Sequence, residues 1–208
     1  MNYTEEITNY YARLEKTIES LDKEALNQVM NLLQEAYENE VRIYVCGNGG
    51  SASTASHIMN DFNKGLSYDQ DKKWHLVCLN DNVATLMAIS NDDSYDKVFS
   101  KQLEGNITKD DILLAISGSG NSKNIIEAVK EAQKVGAKVV GMTGYDGGKL
   151  YQMSDFNMHV PINDMQIAED IHLTFNHMMM SVFYKKVANE KLEKQFSLIV
   201  MGRSMNLN

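Results

Sequence analysis

Proline is nearly absent, with Pro161 the only one in 208 residues, and cysteine is limited to Cys46 and Cys78. No stretch rich in proline, glycine or serine is long enough to serve as a linker, so no internal domain boundary is expected. Internal repeats and low-complexity tracts are missing as well. Basic runs of five or more residues do not occur, and 20 Lys+Arg against 28 Asp+Glu leave a formal net charge of −8. That sign gives a nucleic-acid backbone nothing to bind, so no nucleic-acid partner is expected. No apolar run approaches membrane length, and the opening MNYTEEITNYYARLEK is acidic and amphipathic, unlike a signal peptide or lipidation site. No membrane partner is therefore expected. Each cysteine lies in an apolar run, YVCG and LVCL, where a free thiol behaves as a small buried hydrophobe rather than as half of a disulfide. A reducing, cytoplasmic setting is the expectation.

What is present is enough apolar material, 43% of the chain, for one sizeable core, and a single domain over 1–208 is expected. From about Thr4 to Glu38 the residues Ile7, Tyr10, Tyr11, Leu14, Ile18, Leu21, Leu26, Val29, Leu32, Leu33 and Tyr37 recur at three- and four-residue steps. This predicts a helical arm over about 4–38 with a break near Asp22. Its apolar stripe needs a cover, and a partner subunit is the expected one. Over about 41–188 the pattern becomes short apolar runs alternating with helical stretches: VRIYVCG, WHLVCLN, DILLAIS, AKVVGMTG and FNMHVPI. β-Branched runs separated by helices predict a parallel sheet of about five strands covered on both faces, an α/β core. Pro161 marks the end of the last strand. The tail, 189–208, stays open between a short helix and a loose end.

Two junctions in that core carry chemistry. DILLAIS runs into SGSGNS, residues 117–122, and then into the helical SKNIIEAVKEAQKVG. A strand, a small-residue loop and a helix N-terminus aim unpaired backbone N–H groups and the positive end of the helix dipole at one spot. Ser117, Ser119 and Ser122 add hydroxyls. The plainer alternative is a tight turn with Ser122 as an ordinary helix cap. GNGGS, residues 47–51, repeats the arrangement after RIYVC, and Gly49 and Gly50 allow close backbone approach. In an open parallel sheet such loops converge outside the carboxyl ends of the strands. GNGGSA lacks the third glycine of a dinucleotide fingerprint and no Walker lysine follows either loop, so a phosphorylated small molecule is the expected ligand.

His57 and Asp61 are four apart, which on a helix places both on one face within reach of one ion or one proton. A second set comes from AEDIHLTFNH: Glu169, Asp170, His172 and His177. Eight residues of straight helix separate Glu169 from His177 by about 12 Å, which argues against both gripping one metal. On spacing alone, solvated carboxylates and histidines satisfied by their neighbours are the favoured reading. His75 and His159 lie in strand-like runs and receive no chemistry. Met178–Met180 is expected to pack in the core or at a subunit contact.

In order along the chain, GNGGSASTASH, DNVATLMAISND, ISGSGNS, VVGMTGYDGGKL and IAEDIHLTFNH resemble the sugar isomerase (SIS) domain family. The resemblance spans roughly residues 4–188. It implies a flavodoxin-like three-layer sandwich, a homotetramer with sites shared between subunits, and aldose–ketose isomerisation of sedoheptulose 7-phosphate to D-glycero-D-manno-heptose 7-phosphate. By that resemblance Ser51 and the loop Ser117, Gly118, Ser119, Asn121 and Ser122 hold the sugar phosphate. Asn48 and Asp92 lie near the sugar, and Glu169 falls at a position that serves both sugar and metal. Asp61 and His177 are the implied acid–base pair, and His57, Asp61, Glu169 and His177 the implied zinc ligands. The chain departs from the family pattern at four places: Asp61 for a glutamate, Glu169 for a glutamine, Thr54 for an aspartate and Gly118 for a threonine. Two rival readings follow, a non-catalytic phosphosugar-binding regulator or oligomeric adaptor of the same fold, and an isomerase for a different ketose phosphate. Asp61 and His177 favour an enzyme, because an adaptor relative lacks both.

Overall fold

The computed structural model describes residues 1–205, with side chains described through residue 186. The arm forms two helices, α1 (Thr4–Glu19) and α2 (Lys23–Glu38), broken where Asp22 accepts from the backbone N–H groups of Glu24 and Ala25, each at 3.0 Å. A carboxylate at that position satisfies two of the free donors that every helix start exposes, so the second helix nucleates there.

Five parallel strands follow, β1 (Arg42–Cys46), β2 (His75–Cys78), β3 (Ile112–Ser117), β4 (Lys138–Thr143) and β5 (Phe156–His159), in the spatial order β2-β1-β3-β4-β5. All five expected runs are strands, and the order is that of a flavodoxin-like sheet. Side chains alternate between two cores. Ile43, Val45, Ile112, Leu114, Ile116, Val140 and Met142 face one; Tyr44, Cys46, Leu113, Ala115 and Val139 face the other. Period-two alternation with both faces apolar reads in the sequence as an unbroken hydrophobic run.

The first core is closed by α2, α3 (Gly50–Asn60) and α8 (Met165–Met205), whose Ile167, Ile171, Phe175, Met179 and Phe183 recur every four residues and are buried. The second is closed by α5 (Ser100–Leu103), α6 (Lys123–Val135) and α7 (Gly148–Met153). Helix α4 (Val83–Asp92) is apolar yet contains no buried residue, with Val83 and Met87 exposed. Helix α1 lies on α8: the Tyr10 hydroxyl donates to Asp170 at 2.5 Å and Arg13 pairs with Asp164. Its outward side leaves Tyr3, Ile7, Tyr11 and Ile18 exposed.

Cys46 and Cys78 are free and buried, and burial pushes both thiols up. Met179 is fully buried, while Met178 and Met180 pack against the same core. Among the described residues no helix is long and apolar enough to cross a membrane. The boundary expected near residue 188 falls inside α8, which continues without a break to Met205. Tail side chains, and residues 206–208 altogether, lie outside the described residues.

Candidate active site

The turns after β1 and β3 sit side by side, because those strands are hydrogen-bonded neighbours with Cys46 opposite Ala115. Between them the strand order reverses, since the chain leaves β1 for β2 on one side and returns to β3 on the other. That reversal is the crevice in which open α/β sheets bind ligands. Both helices that start there, α3 after Gly49 and α6 after Ser122, lack a side-chain cap. Ser122 does not cap its own helix. Its Oγ instead accepts from Ser117 Oγ at 3.3 Å. Two uncapped helix starts leave their first N–H donors and dipole ends open to an anion.

Backbone approach shapes the serine loop. Gly120 has φ 64°, and an added Cβ would collide with the Gly147 carbonyl, so only glycine fits. At Gly118 a Cβ would come within 2.6 Å of Met165 Sδ, which occupies the space a larger residue would take. Asn121 donates to the Ser119 carbonyl at 2.9 Å, and its own carbonyl accepts from Lys149 N at 3.3 Å, tying the loop to α7. Beside the loop lies a cavity of about 550 Å³ lined by Ser119, Asn121, Tyr145, Asp146, Asn163 and Met165. Asn48 spans the two junctions: its side-chain amide exchanges hydrogen bonds with Asn124 of α6 at 2.9 Å each way, and its Oδ1 also accepts from the Tyr95 hydroxyl at 2.8 Å. Ser51 is buried at the start of α3.

Farther along α3, the ligand atoms of His57, Asp61 and His177 all lie within 4.8 Å of one another. His57 Nε2 is 3.2 Å from Asp61 Oδ2, and the imidazoles of His57 and His177 meet edge to face at 5.2 Å. Asp61 begins a π-helical turn, Asp61–Leu66, directly after α3. Its Oδ2 also accepts from Asn176 Nδ2 at 2.7 Å. Two imidazoles and a carboxylate on two helices form the three-ligand donor set of an open divalent site, so these residues fit a metal such as zinc.

Glu169 does not join that cluster. It sits two turns before His177 on the continuous α8, and its carboxylate abuts Gly50, where an added Cβ would be 2.5 Å from Oε2. The rise of a straight helix is the reason. Glu169 thus borders the first loop. Asp92 ends α4, is exposed, and accepts from its neighbour Asn91 at 2.8 Å. His172 is 1% exposed, with Nε2 bonded to the Thr143 carbonyl at 3.1 Å, and burial lowers its pKa to about 4. It is a neutral structural histidine, and Asp170 is taken by Tyr10. Thr54 is buried within α3. Asn124, Tyr95, Tyr145, Met165 and Asn176 were not legible as site residues, because each is distant in sequence from the group it touches and belongs to no spacing pattern.

Fold and loops define the class: a flavodoxin-like α/β protein with two uncapped helix starts at its switch point. The chain belongs to the SIS domain family, whose model matches residues 2–144. It is 37% identical over 177 residues to phosphoheptose isomerase of Helicobacter pylori, covering 85% of this chain and 91% of that protein. Among solved structures it superposes on phosphoheptose isomerase of Neisseria gonorrhoeae with a TM-score of 0.80 at 31% identity, over 88% of this chain and 98% of that one. The Francisella tularensis phosphoheptose isomerase gives the same TM-score at 28% identity, over 89% and 100%.

Proposed function

We propose that this chain is a phosphoheptose isomerase converting sedoheptulose 7-phosphate to D-glycero-D-manno-heptose 7-phosphate through an enediol. The observation that carries the reading is the convergence of His57, Asp61 and His177 on α3 and α8, the helices that also carry Ser51 and Glu169 beside the first loop. His57 lies seven residues beyond the start of α3, about 10 Å along the axis, so phosphate and carbonyl ends of one small sugar have separate places. Ser51 and Ser117, Gly118, Ser119, Asn121 and Ser122 hold the phosphate, while Asn48 and Glu169 face the sugar chain and Asp92 lies toward it.

In the reaction the Asp61 carboxylate takes the proton from C1 of the ketose while His177 protonates the carbonyl oxygen at C2, which gives the enediol. Asp61 then returns its proton to C2 and His177 accepts the one on the C1 hydroxyl, so the atoms balance with no external oxidant or reductant. His57, Asp61 and His177 would hold a zinc ion, which supplies Lewis-acid polarisation of the carbonyl when bound. Asp61 uses Oδ2 in its contacts with His57 and Asn176, and Oδ1 remains for the proton.

His57 keeps a side chain 41% exposed and His177 is exposed, whereas chemistry of this kind proceeds best with water excluded. A second copy covering the site, within a homotetramer, supplies that exclusion. Two buried free thiols fit a cytoplasmic setting.

The test is direct. Purified protein with sedoheptulose 7-phosphate should form the aldoheptose phosphate, and His177→Ala should fold normally yet lose at least about a hundredfold in kcat. No turnover by wild type, with or without added zinc, sinks the reading. Because Met165 fills the space beside Gly118, a panel of shorter ketose phosphates belongs in the same assay. Preferential turnover of one of them would redirect the substrate assignment.

A further inference from the structure

Asn176 is fully buried between the core residues Phe175 and Met179 on α8, and its Oδ1 has no hydrogen-bond partner. An apolar side chain would fill that place without leaving a carbonyl oxygen desolvated and unpaired. The other end of the same amide explains the choice: Nδ2 donates to Asp61 Oδ2 at 2.7 Å, closer than His57 Nε2 at 3.2 Å. Asp61 Oδ1 by contrast has only Asn60 Nδ2, at 3.5 Å.

Local structure does not place Asp61 by itself. It stands where α3 gives way to the π-helical turn, and its side chain is short. We infer that Asn176 is a positioning residue that ties the Asp61 carboxylate across to α8, presenting Oδ2 to a divalent cation beside His57 and His177 and leaving Oδ1 as the oxygen that moves the proton. Asn176 and His177 are consecutive, about 100° apart around the helix axis. One turn of α8 therefore holds both the exposed imidazole and the buried anchor of its carboxylate partner. A ligating carboxylate that is itself hydrogen-bonded loses less freedom when it binds a cation, which is why such outer contacts matter for affinity.

The kinetic half of this inference rests on the proposed isomerase; the cation half does not. Asn176→Leu and Asn176→Ala, made in the full chain, are compared with wild type in zinc affinity by competition against a chromogenic chelator, in thermal midpoint, and in kcat and KM with sedoheptulose 7-phosphate. The zinc dissociation constant should rise about 10–100-fold, and kcat should fall by about the same factor. KM should stay within about twofold, since ground-state binding is untouched. At least one variant should melt no lower than wild type. Equal zinc affinity in wild type and a folded variant, including no binding by either, overturns the inference. Loss of folding in both variants overturns it too, because it makes the amide structural. A wild type that binds zinc but turns over no heptulose phosphate removes the isomerase reading and leaves the zinc comparison to decide the role of Asn176.

Discussion

Two buried side chains show how differently a polar group can be used. His172 and Asn176 lie one turn apart on α8, and both are almost wholly enclosed. His172 donates from Nε2 to the Thr143 carbonyl, while Nδ1 has no partner, so the neutral ring fits and the charged one does not. Its folded pKa of about 4 lies below the ordinary 6.5, so on acidification the unfolded chain takes up the proton first. The stability owed to this residue is complete above about pH 6.5 and is lost as the pH falls toward 4. Between pH 7 and 5 the loss should be roughly 2 kcal/mol. Urea unfolding of wild type and His172→Gln at both pH values checks this: the variant should lose less on acidification, and equal losses would place the sensitivity elsewhere. At the same scale, the space that a side chain at Gly118 would enter is taken by Met165, far along the chain. No pattern near Gly118 announces that neighbour.

Elements were the most legible level. The five-residue step from Leu21 to Leu26 and the carboxylate of Asp22 together mark a helix break, and the break is where Asp22 caps α2 through two backbone N–H groups. Asp22→Ala should therefore cost about 1 kcal/mol, read as a lower urea midpoint at unchanged slope. A midpoint equal to wild type would mean that packing of the α2 face alone holds the break. Strand runs were legible for a similar reason, since all five are short and bounded, and β1, β3 and β4 each carry two or more β-branched residues. The π-helical turn at Asp61 was not, because nothing in DFNKGL distinguishes it from another turn of α-helix. Nor was the length of α8, whose sequence between Met165 and Met205 offers no proline to end it. Helical rise did separate Glu169 from His177 in advance, and it governs where Glu169 lies now.

At the scale of the whole molecule, the arm and α4 present more apolar surface than a lone chain needs. Tyr3, Ile7, Tyr11 and Ile18 recur along α1, and Ile18 also lines a cavity of about 470 Å³ with Leu21, Leu26, Met30, Phe175 and Met178. Contiguous patches of this kind mark interfaces. Light scattering should give the mass of four chains, and Ile7→Glu with Tyr11→Glu should reduce it while far-ultraviolet circular dichroism stays unchanged. A monomeric wild type would leave the stripe without a role in assembly and the open histidines without a cover.

Sequence alone determined the helical arm with its break, the five strands, their parallel sense and the two small-residue loops, because each follows from local propensity, hydrophobic period or backbone freedom within a few turns of chain. Tertiary structure alone decided which strands are neighbours, that His177 meets His57 and Asp61 while Glu169 turns to Gly50, and that Asn176 anchors the carboxylate. The contacts of Glu169, Asn176 and His177 join residues more than a hundred positions apart, and only the packing of α8 against α3 over a shared core brings them within reach.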